Sequence, residues 1–207
     1  MKKFFPLALT LLLLFTLTAC RRYEPVVCEK PVIYLYPQQE MQVTVTLDYD
    51  GQLISTYPAY KNGWTVTARP DGTLTDADGR TYYCLFWEGT GNTAYDFSQG
   101  FCVAGSDTAA FLEAALAQLG LTEKEANEFI IYWLPHMEHN AYNLIAFQTE
   151  RYTDSAALHI DPAPDSLLRV FMAWQALDRA VEIPAQNLPA FTRTGFTVVE
   201  WGGAQVK

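Results

Sequence analysis

The stretch Lys30–Pro37, KPVIYLYP, sets five apolar or aromatic residues in a row between two prolines. In an extended strand, Val32, Tyr34 and Tyr36 point to one side and Ile33 and Leu35 to the other. Both sides are then apolar, the pattern of a strand covered above and below rather than of an exposed recognition patch. Prolines at its two ends remove amide donors where a ladder needs them least. The two tyrosine hydroxyls require partners at the sheet edge or in the core. The stretch predicts a central strand, and the point at which a tether gives way to folded chain.

Upstream of it the text changes character. Lys2 and Lys3 form a short positive region, and Phe4 to Leu17 follow as an almost wholly apolar run. That run is short for a membrane span and suits the core of a signal peptide. Leu17-Thr18-Ala19-Cys20 comes next and resembles the bacterial lipobox. In that motif small residues fit the peptidase and the cysteine thiol carries the lipid. Two or three acyl chains hold a protein at a membrane where one does not. The expectation is a signal peptide over residues 1–19, a tether over 20–29 lipidated at Cys20, and a globular domain over 30–207. A sub-boundary near Gly105 is the alternative division. The protein would sit outside the cytoplasm on the cell membrane or outer membrane, with the membrane itself as a partner through the lipid.

Charge narrows the partners. The full chain carries 14 basic and 23 acidic residues, a net −9. Loss of residues 1–19 takes out two lysines and no acid, leaving −11. An acidic surface of this kind disfavours nucleic acid. The residues also suggest no cofactor.

Downstream of the opening stretch, residues 42–47 alternate polar and apolar, as do residues 64–68. Asp50-Gly51, Asn62-Gly63, Asp71-Gly72 and Asp78-Gly79 read as turns between short antiparallel strands. Tyr82 to Trp87 reads as one aromatic strand, and residues 57–60 as a loop. Phe111, Leu112, Ala115, Leu116 and Leu119 share one helical face that Gly120 closes. Thr122-Glu123-Lys124-Glu125 is a capping box that starts a second helix. The run Phe129–Leu134 suits either continued helix or strand. Its two apolar faces and Pro135 favour a short helix followed by a strand. Residues 143–148, 157–160, 167–174 and 195–203 are further strand text, with Asp161–Asp165 as a hairpin-like loop. The fold class expected is α+β: an antiparallel, sandwich-like N-terminal half, two short central helices and a β-rich C-terminal half, packed as one unit.

Two stretches, CEKPVIYLYP (Cys28 to Pro37) and GFTVVEWGG (Gly195 to Gly203), resemble the two ends of a family of uncharacterised bacterial secreted proteins and lipoproteins. YPAYKNGWTVTARPDGTL and YYCLFWEG between them are similar to that family as well. The resemblance implies an extracytoplasmic protein and carries no catalytic residues with it.

Several constellations invite chemistry. Trp87-Glu88-Gly89 and Glu200-Trp201-Gly202 each place a carboxylate beside an indole at a strand end. Such groups bind sugars, and two acids at the right separation cleave them. Trp87, Glu88, Glu200 and Trp201 are therefore ligand-binding candidates. A cell-wall or glycan-processing hydrolase using Glu88 and Glu200 is the alternative to a non-enzymatic binding or structural envelope protein. Tyrosines 57, 60, 95 and 142, with Trp64, lie in or beside loops and could contact a glycan or peptide. His136 and His139 are three apart, without the spacing of a zinc helix, and read as a polar loop. Asp71, Asp76 and Asp78 read as turn residues rather than a calcium loop. Cys84 and Cys102, both in strand-like text, are the disulfide candidates, which leaves Cys28 free.

Overall fold

The computed structural model describes residues 25–207. Cys20 and its lipidation therefore lie outside the described residues. The chain runs β1 (Val26–Tyr36), β2 (Met41–Tyr49), β3 (Gly51–Tyr57), β4 (Trp64–Ala68), β5 (Leu74–Thr75), β6 (Thr81–Tyr82), β7 (Leu85–Gly91) and β8 (Phe101–Ala104). Helices α1 (Thr108–Leu119) and α2 (Glu123–Met137) follow. Then come β9 (Tyr142–Gln148), the short α3 (Glu150–Ser155), β10 (Ala156–Asp161), β11 (Ser166–Leu177) and β12 (Thr197–Gln205). The class is α+β, as expected.

β1 lies inside the larger of two sheets, flanked by β7 and β12. A seven-stranded sheet has the order β3-β7-β1-β12-β11-β9-β8, and a five-stranded sheet the order β10-β2-β4-β5-β6. Val32 and Tyr34 pack into a core beneath α1 and α2, with Leu116, Phe129, Trp133 and Trp201. Ile33 and Leu35 pack into a second core against the five-stranded sheet, with Val43, Trp64, Trp87 and Val198. The seven-stranded sheet is thus the middle of three layers. This is why KPVIYLYP is apolar on both faces: each face has its own hydrophobic layer to meet.

The two halves of the chain interleave. β1 from the N-terminal part pairs β12 from the C-terminal end, and β10 joins the sheet that β2 begins. Asp50-Gly51 consequently makes no hairpin, because β2 and β3 belong to different sheets. Asn62-Gly63 and the Asp161–Asp165 loop are likewise sheet-to-sheet corners. Asp71-Gly72 and Asp78-Gly79 do join neighbouring antiparallel strands. The expected strand Tyr82–Trp87 breaks at Tyr83-Cys84, where the chain leaves the five-stranded sheet for the other.

β1 begins at Val26, inside the expected tether, and Cys28 is buried in the inter-sheet core. The strand holds a bulge between Cys28 and Val32, where Lys30 takes a left-handed φ of 61°. The bulge lets Pro31 sit within the strand without breaking its ladder further on.

α2 runs unbroken from the Thr122–Glu125 capping box through Pro135, so residues 129–134 are helix. Glu125, Phe129, Trp133 and Met137 are the buried residues, one per turn along a single stripe. Ile131, 74% exposed, shows that both faces of the run are apolar but only one is used. Pro135 leaves the Ile131 carbonyl without its helical donor, and at this exposed position water can supply one.

β11 and β12 pair in parallel, so the chain must cross from one end of the sheet to the other. Residues 178–196 make that crossing over the helical face without forming a helix. Polar side chains pin the segment instead. Gln186 exchanges two hydrogen bonds with the Phe147 backbone, and Gln118 donates to the Leu188 carbonyl at 2.7 Å. Arg193 pairs with Glu125 and donates to the Gly120 carbonyl. The glycine pair that follows Trp201 has a packing cause: a Cβ on Gly203 would lie 2.6 Å from both the Met172 carbonyl and the Trp133 ring.

Candidate functional site

The tryptophan–carboxylate pairs fall on different sides of the middle sheet. Trp87 donates to Glu200 at 3.1 Å, so both lie on the face toward the five-stranded sheet. Glu88, the next residue after Trp87, points to the helical face and accepts the Lys30 backbone amide at 3.3 Å. Burial raises its pKa. The carboxylate pair expected of a hydrolase flanks one glycosidic bond from a shared cleft. Here the sheet separates the two acids. Trp87, Glu200 and Trp201 have no exposed surface and cannot stack on a ligand. Trp201 packs against Phe129 under α2, with ring centroids 5.3 Å apart. Of the four ligand-binding candidates only Glu88 reaches a half-exposed position.

Glu200 is instead the centre of a buried ionic cluster. Arg169 donates to it at 2.7 Å and lies 4.6 Å over the Tyr152 ring. Burial opposes the Arg169 charge, but Glu200 outweighs it and holds the guanidinium ionised. Burial, with Glu200 next, pushes the Tyr152 hydroxyl and the Cys28 thiol well above their ordinary values.

The expected Cys84–Cys102 disulfide is not formed, and Cys28, Cys84 and Cys102 are all free thiols. Cys84 lies just before β7 and Cys102 on β8, five strand intervals apart in the sheet. At about 4.8 Å per interval that is on the order of 24 Å, far beyond disulfide reach. Both segments do belong to one sheet, but at nearly opposite edges, which strand-like text cannot distinguish.

His136 ends in the last turn of α2 and His139 follows it, while His159 lies on β10 in the far layer. Asp71 accepts the Thr73 amide, and Asp76 accepts the Asp78 and Arg80 amides and the Tyr82 hydroxyl. These bonds hold both carboxylates below their ordinary range and account for the turns. Tyr60 packs on the buried Trp64, Tyr95 on Phe171, and Tyr142 lies in β9. Of the loop aromatics, Tyr57 alone reaches the cleft described next.

That cleft lies at the β3–β7 edge. Register sets Tyr57 opposite Phe86, and Phe86 opposite Val32, which lines three side chains in a row on the helical face. α2 covers β1, where Tyr34 bonds Glu128 and Tyr132 bonds Glu29. β7 and β3 lie about 5 and 10 Å further out, beyond the helix. Tyr83 and Cys84, at the corner between the sheets, and Arg80, Thr81 and Tyr82 close the outer wall. The result is an open cavity of about 400 Å³, within the size range of small-molecule sites, about 300–1,000 Å³. Tyr57 and Tyr83 are each about half exposed, at 51% and 54%.

Two cations enter this cleft. The Lys30 ammonium lies 5.6 Å from the Phe86 and Tyr132 ring centres. The Arg80 guanidinium lies 5.8 Å from Tyr57 and 5.9 Å from Tyr82. Cys84 contributes an unreactive thiol, since burial pushes its pKa to about 12. A larger cavity of about 470 Å³ near Asp96, Gln148 and Arg151 is walled mainly by polar groups, and Gln148 is already bonded to the Asp96 backbone. Tyr57 apart, the residues of the aromatic cleft were missed in the sequence because they come from three separate segments, residues 30–32, 57 and 80–86. The available signal was Lys30, a charge set inside an apolar strand.

No protein-family model matches this chain, and no solved structure matches it. A stretch of 63 residues is 49% identical to a protein of Butyrivibrio fibrisolvens described as "Uncharacterized protein in bglA 3'region". The alignment covers 29% of this chain and 65% of that relative, so it spans less than two thirds of the relative's length.

Proposed function

We propose that this chain is an extracytoplasmic lipoprotein, anchored through Cys20, whose folded part binds a small ligand in the cleft at the β3–β7 edge and carries out no reaction on it. The observation that supports binding is the cleft itself. It presents aromatic faces from Tyr57, Tyr82, Tyr83 and Phe86 around an apolar floor of Val32 and Cys84. Rigid aromatic rings give contact area at small entropic cost. Its only thiol is held protonated, and its lining residues include no carboxylate. The anchor rests on Leu17-Thr18-Ala19-Cys20 after an apolar run. Among the described residues no helix is long and apolar enough to cross a membrane.

The anchor is tested by growth with a labelled fatty acid. Wild type should take up label and Cys20→Ser should not, and equal labelling of both would end the lipoprotein reading. The cleft is tested by NMR on the full chain in detergent micelles against a panel of neutral and acidic ring compounds. Binding should shift the Val32 and Thr81 methyl signals. A panel that leaves both signals unmoved would overturn the binding reading.

A further inference from the structure

The charge in the cleft runs against the charge of the protein. Acidic residues outnumber basic ones by 23 to 14 in the whole chain. A cation in such a chain has many carboxylates available. Arg69, Arg169 and Arg193 each take one, in ion pairs with Glu40, Glu200 and Glu125. Lys61, Lys124, Arg151 and Arg179 form no ion pair among the described residues, and neither do Lys30 and Arg80; what sets these two apart is that both stand over the aromatic walls of one cavity. The nearby acids hold hydrogen bonds of their own, and Glu88 and Asp76 attract Lys30 and Arg80 only from beyond ion-pair distance. Glu88 accepts the Lys30 backbone amide, Glu29 the Tyr132 hydroxyl, and Asp76 two amides and the Tyr82 hydroxyl.

Lys30 is also fixed in place. Its φ of 61° is a left-handed conformation that a residue with a Cβ adopts only when its surroundings impose it. The bulge in β1 imposes it here, and the bulge places the ammonium between Phe86 on the sheet and Tyr132 on α2. Arg80 is placed from the other layer, by the turn that joins β5 to β6. The two cations therefore approach one cavity from different sheets. A guanidinium or ammonium over a ring face keeps the N–H donors that point away from the ring, and an anionic acceptor can take them.

We infer that the cleft selects a ligand with a carboxylate carried on a six-membered ring, the carboxylate taken by Lys30 and Arg80 and the ring face laid on Tyr57, Tyr83 or Phe86. This rests on the cleft being the binding site. Two sources share that chemistry, a sugar acid such as a uronic acid and an aromatic acid. The overall negative field repels any anion that the two cations do not capture, so anion binding should be confined to this site.

The experiment uses full chain in detergent, with the Val32 and Thr81 methyl shifts as the report of occupancy. Glucuronic acid is titrated against glucose, and benzoate against benzyl alcohol. At least one acid should bind tenfold or more tightly than its neutral counterpart. Lys30→Gln and Arg80→Gln should each lower that preference to within threefold while the neutral compound binds as before. Arg179→Gln, an exposed charge beyond β11, removes the same charge and should leave the preference intact. A preference for glucuronic acid identifies a sugar-acid site, and one for benzoate an aromatic-acid site; each supports the inference. Equal shifts by acid and neutral compounds overturn it while leaving the cleft as a binding site. So does a preference that Arg179→Gln abolishes equally, which would mark a general charge effect. No shift from any of the four compounds overturns the inference and the binding reading together.

Discussion

The Arg169–Glu200 pair makes a sharp test of how the inter-sheet layer is held. Glu200 is wholly buried and the Arg169 side chain is 8% exposed. Unit charges about 4 Å apart at an effective dielectric near 20 attract by about 4 kcal/mol. Removing either partner leaves the other as an uncompensated buried charge, which costs about 3–5 kcal/mol in comparable pairs. Glu200→Gln keeps an acceptor for the Trp87 indole and removes the charge alone, so its cost is that of stranding Arg169. Arg169→Met strands the carboxylate, with one Trp87 bond left to it. The double variant Arg169→Met/Glu200→Gln holds no buried charge and keeps the Trp87 bond, so it should be more stable than either single variant. At about 2–4 °C per kcal/mol for a chain of this size, each single variant should lose about 6–20 °C in Tm. Urea unfolding of all four proteins closes the cycle, and the coupling energy should be about 2–4 kcal/mol. Additive losses, or single variants within 1 kcal/mol of wild type, would refute the claim that this pair is desolvated and mutually dependent. The same result would reopen Glu200 to a role other than structure.

The Glu125–Arg193 pair should give the crossing segment a pH-dependent hold. Burial raises the Glu125 pKa, but Arg193 and the Thr122 amide outweigh it and bring it below the ordinary 4.5. A lowered carboxylate stabilises the fold above its unfolded pKa and loses that contribution as pH falls through the folded value. Arg193→Met should therefore cost about 2–4 kcal/mol at pH 7 and markedly less at pH 3, measured by urea unfolding; an equal cost at both would contradict the pairing. Thiol titration under non-reducing conditions should find Cys28, Cys84 and Cys102 all reactive after unfolding. In the native state Cys102, half-exposed, should react well before Cys84 and Cys28. A Cys84–Cys102 disulfide in mass spectrometry would contradict the sheet order.

Most of the local structure was legible in the sequence, for reasons that concern short range. The KPVIYLYP alternation, the α1 stripe and the α2 capping box depend on residues within a turn or two of one another. What failed depended on distant pairing. Asp50-Gly51 carries a hairpin signature, but whether the following strand folds back depends on which sheet accepts it. Here β3 finds β7. Phe129–Leu134 looks like a doubly buried strand because Ile130, Ile131 and Tyr132 are apolar. The sheet on that side is already complete, however, and the helix started by Thr122 simply continues. Trp87 and Trp201 lie on adjoining layers of core, and their neighbours in sequence gave no sign of this. Glu200 looks like a solvated strand end until Arg169, 31 positions away, is placed beside it.

The same topology accounts for where a binding surface can exist. A sheet with a layer on each face has no open face in its middle, so Trp87, Glu200 and Trp201 were consumed by packing. Only a strand that extends past its covering layer keeps one side in water. On the helical face α2 stops over β1, and β7 and β3 extend past it. The chain also changes sheets at Tyr83-Cys84 and again after Tyr57, so both corners bring aromatic side chains to that uncovered ledge. A β-sandwich with an overhanging edge therefore yields an aromatic cleft without a dedicated loop. Its charge must come from whatever strand irregularity faces it, and in β1 that irregularity is the bulge at Lys30. The residue that opens KPVIYLYP thus belongs to the cleft, Val32 serves both the cleft floor and the helical core, and the other four residues inside the stretch pack into the two cores.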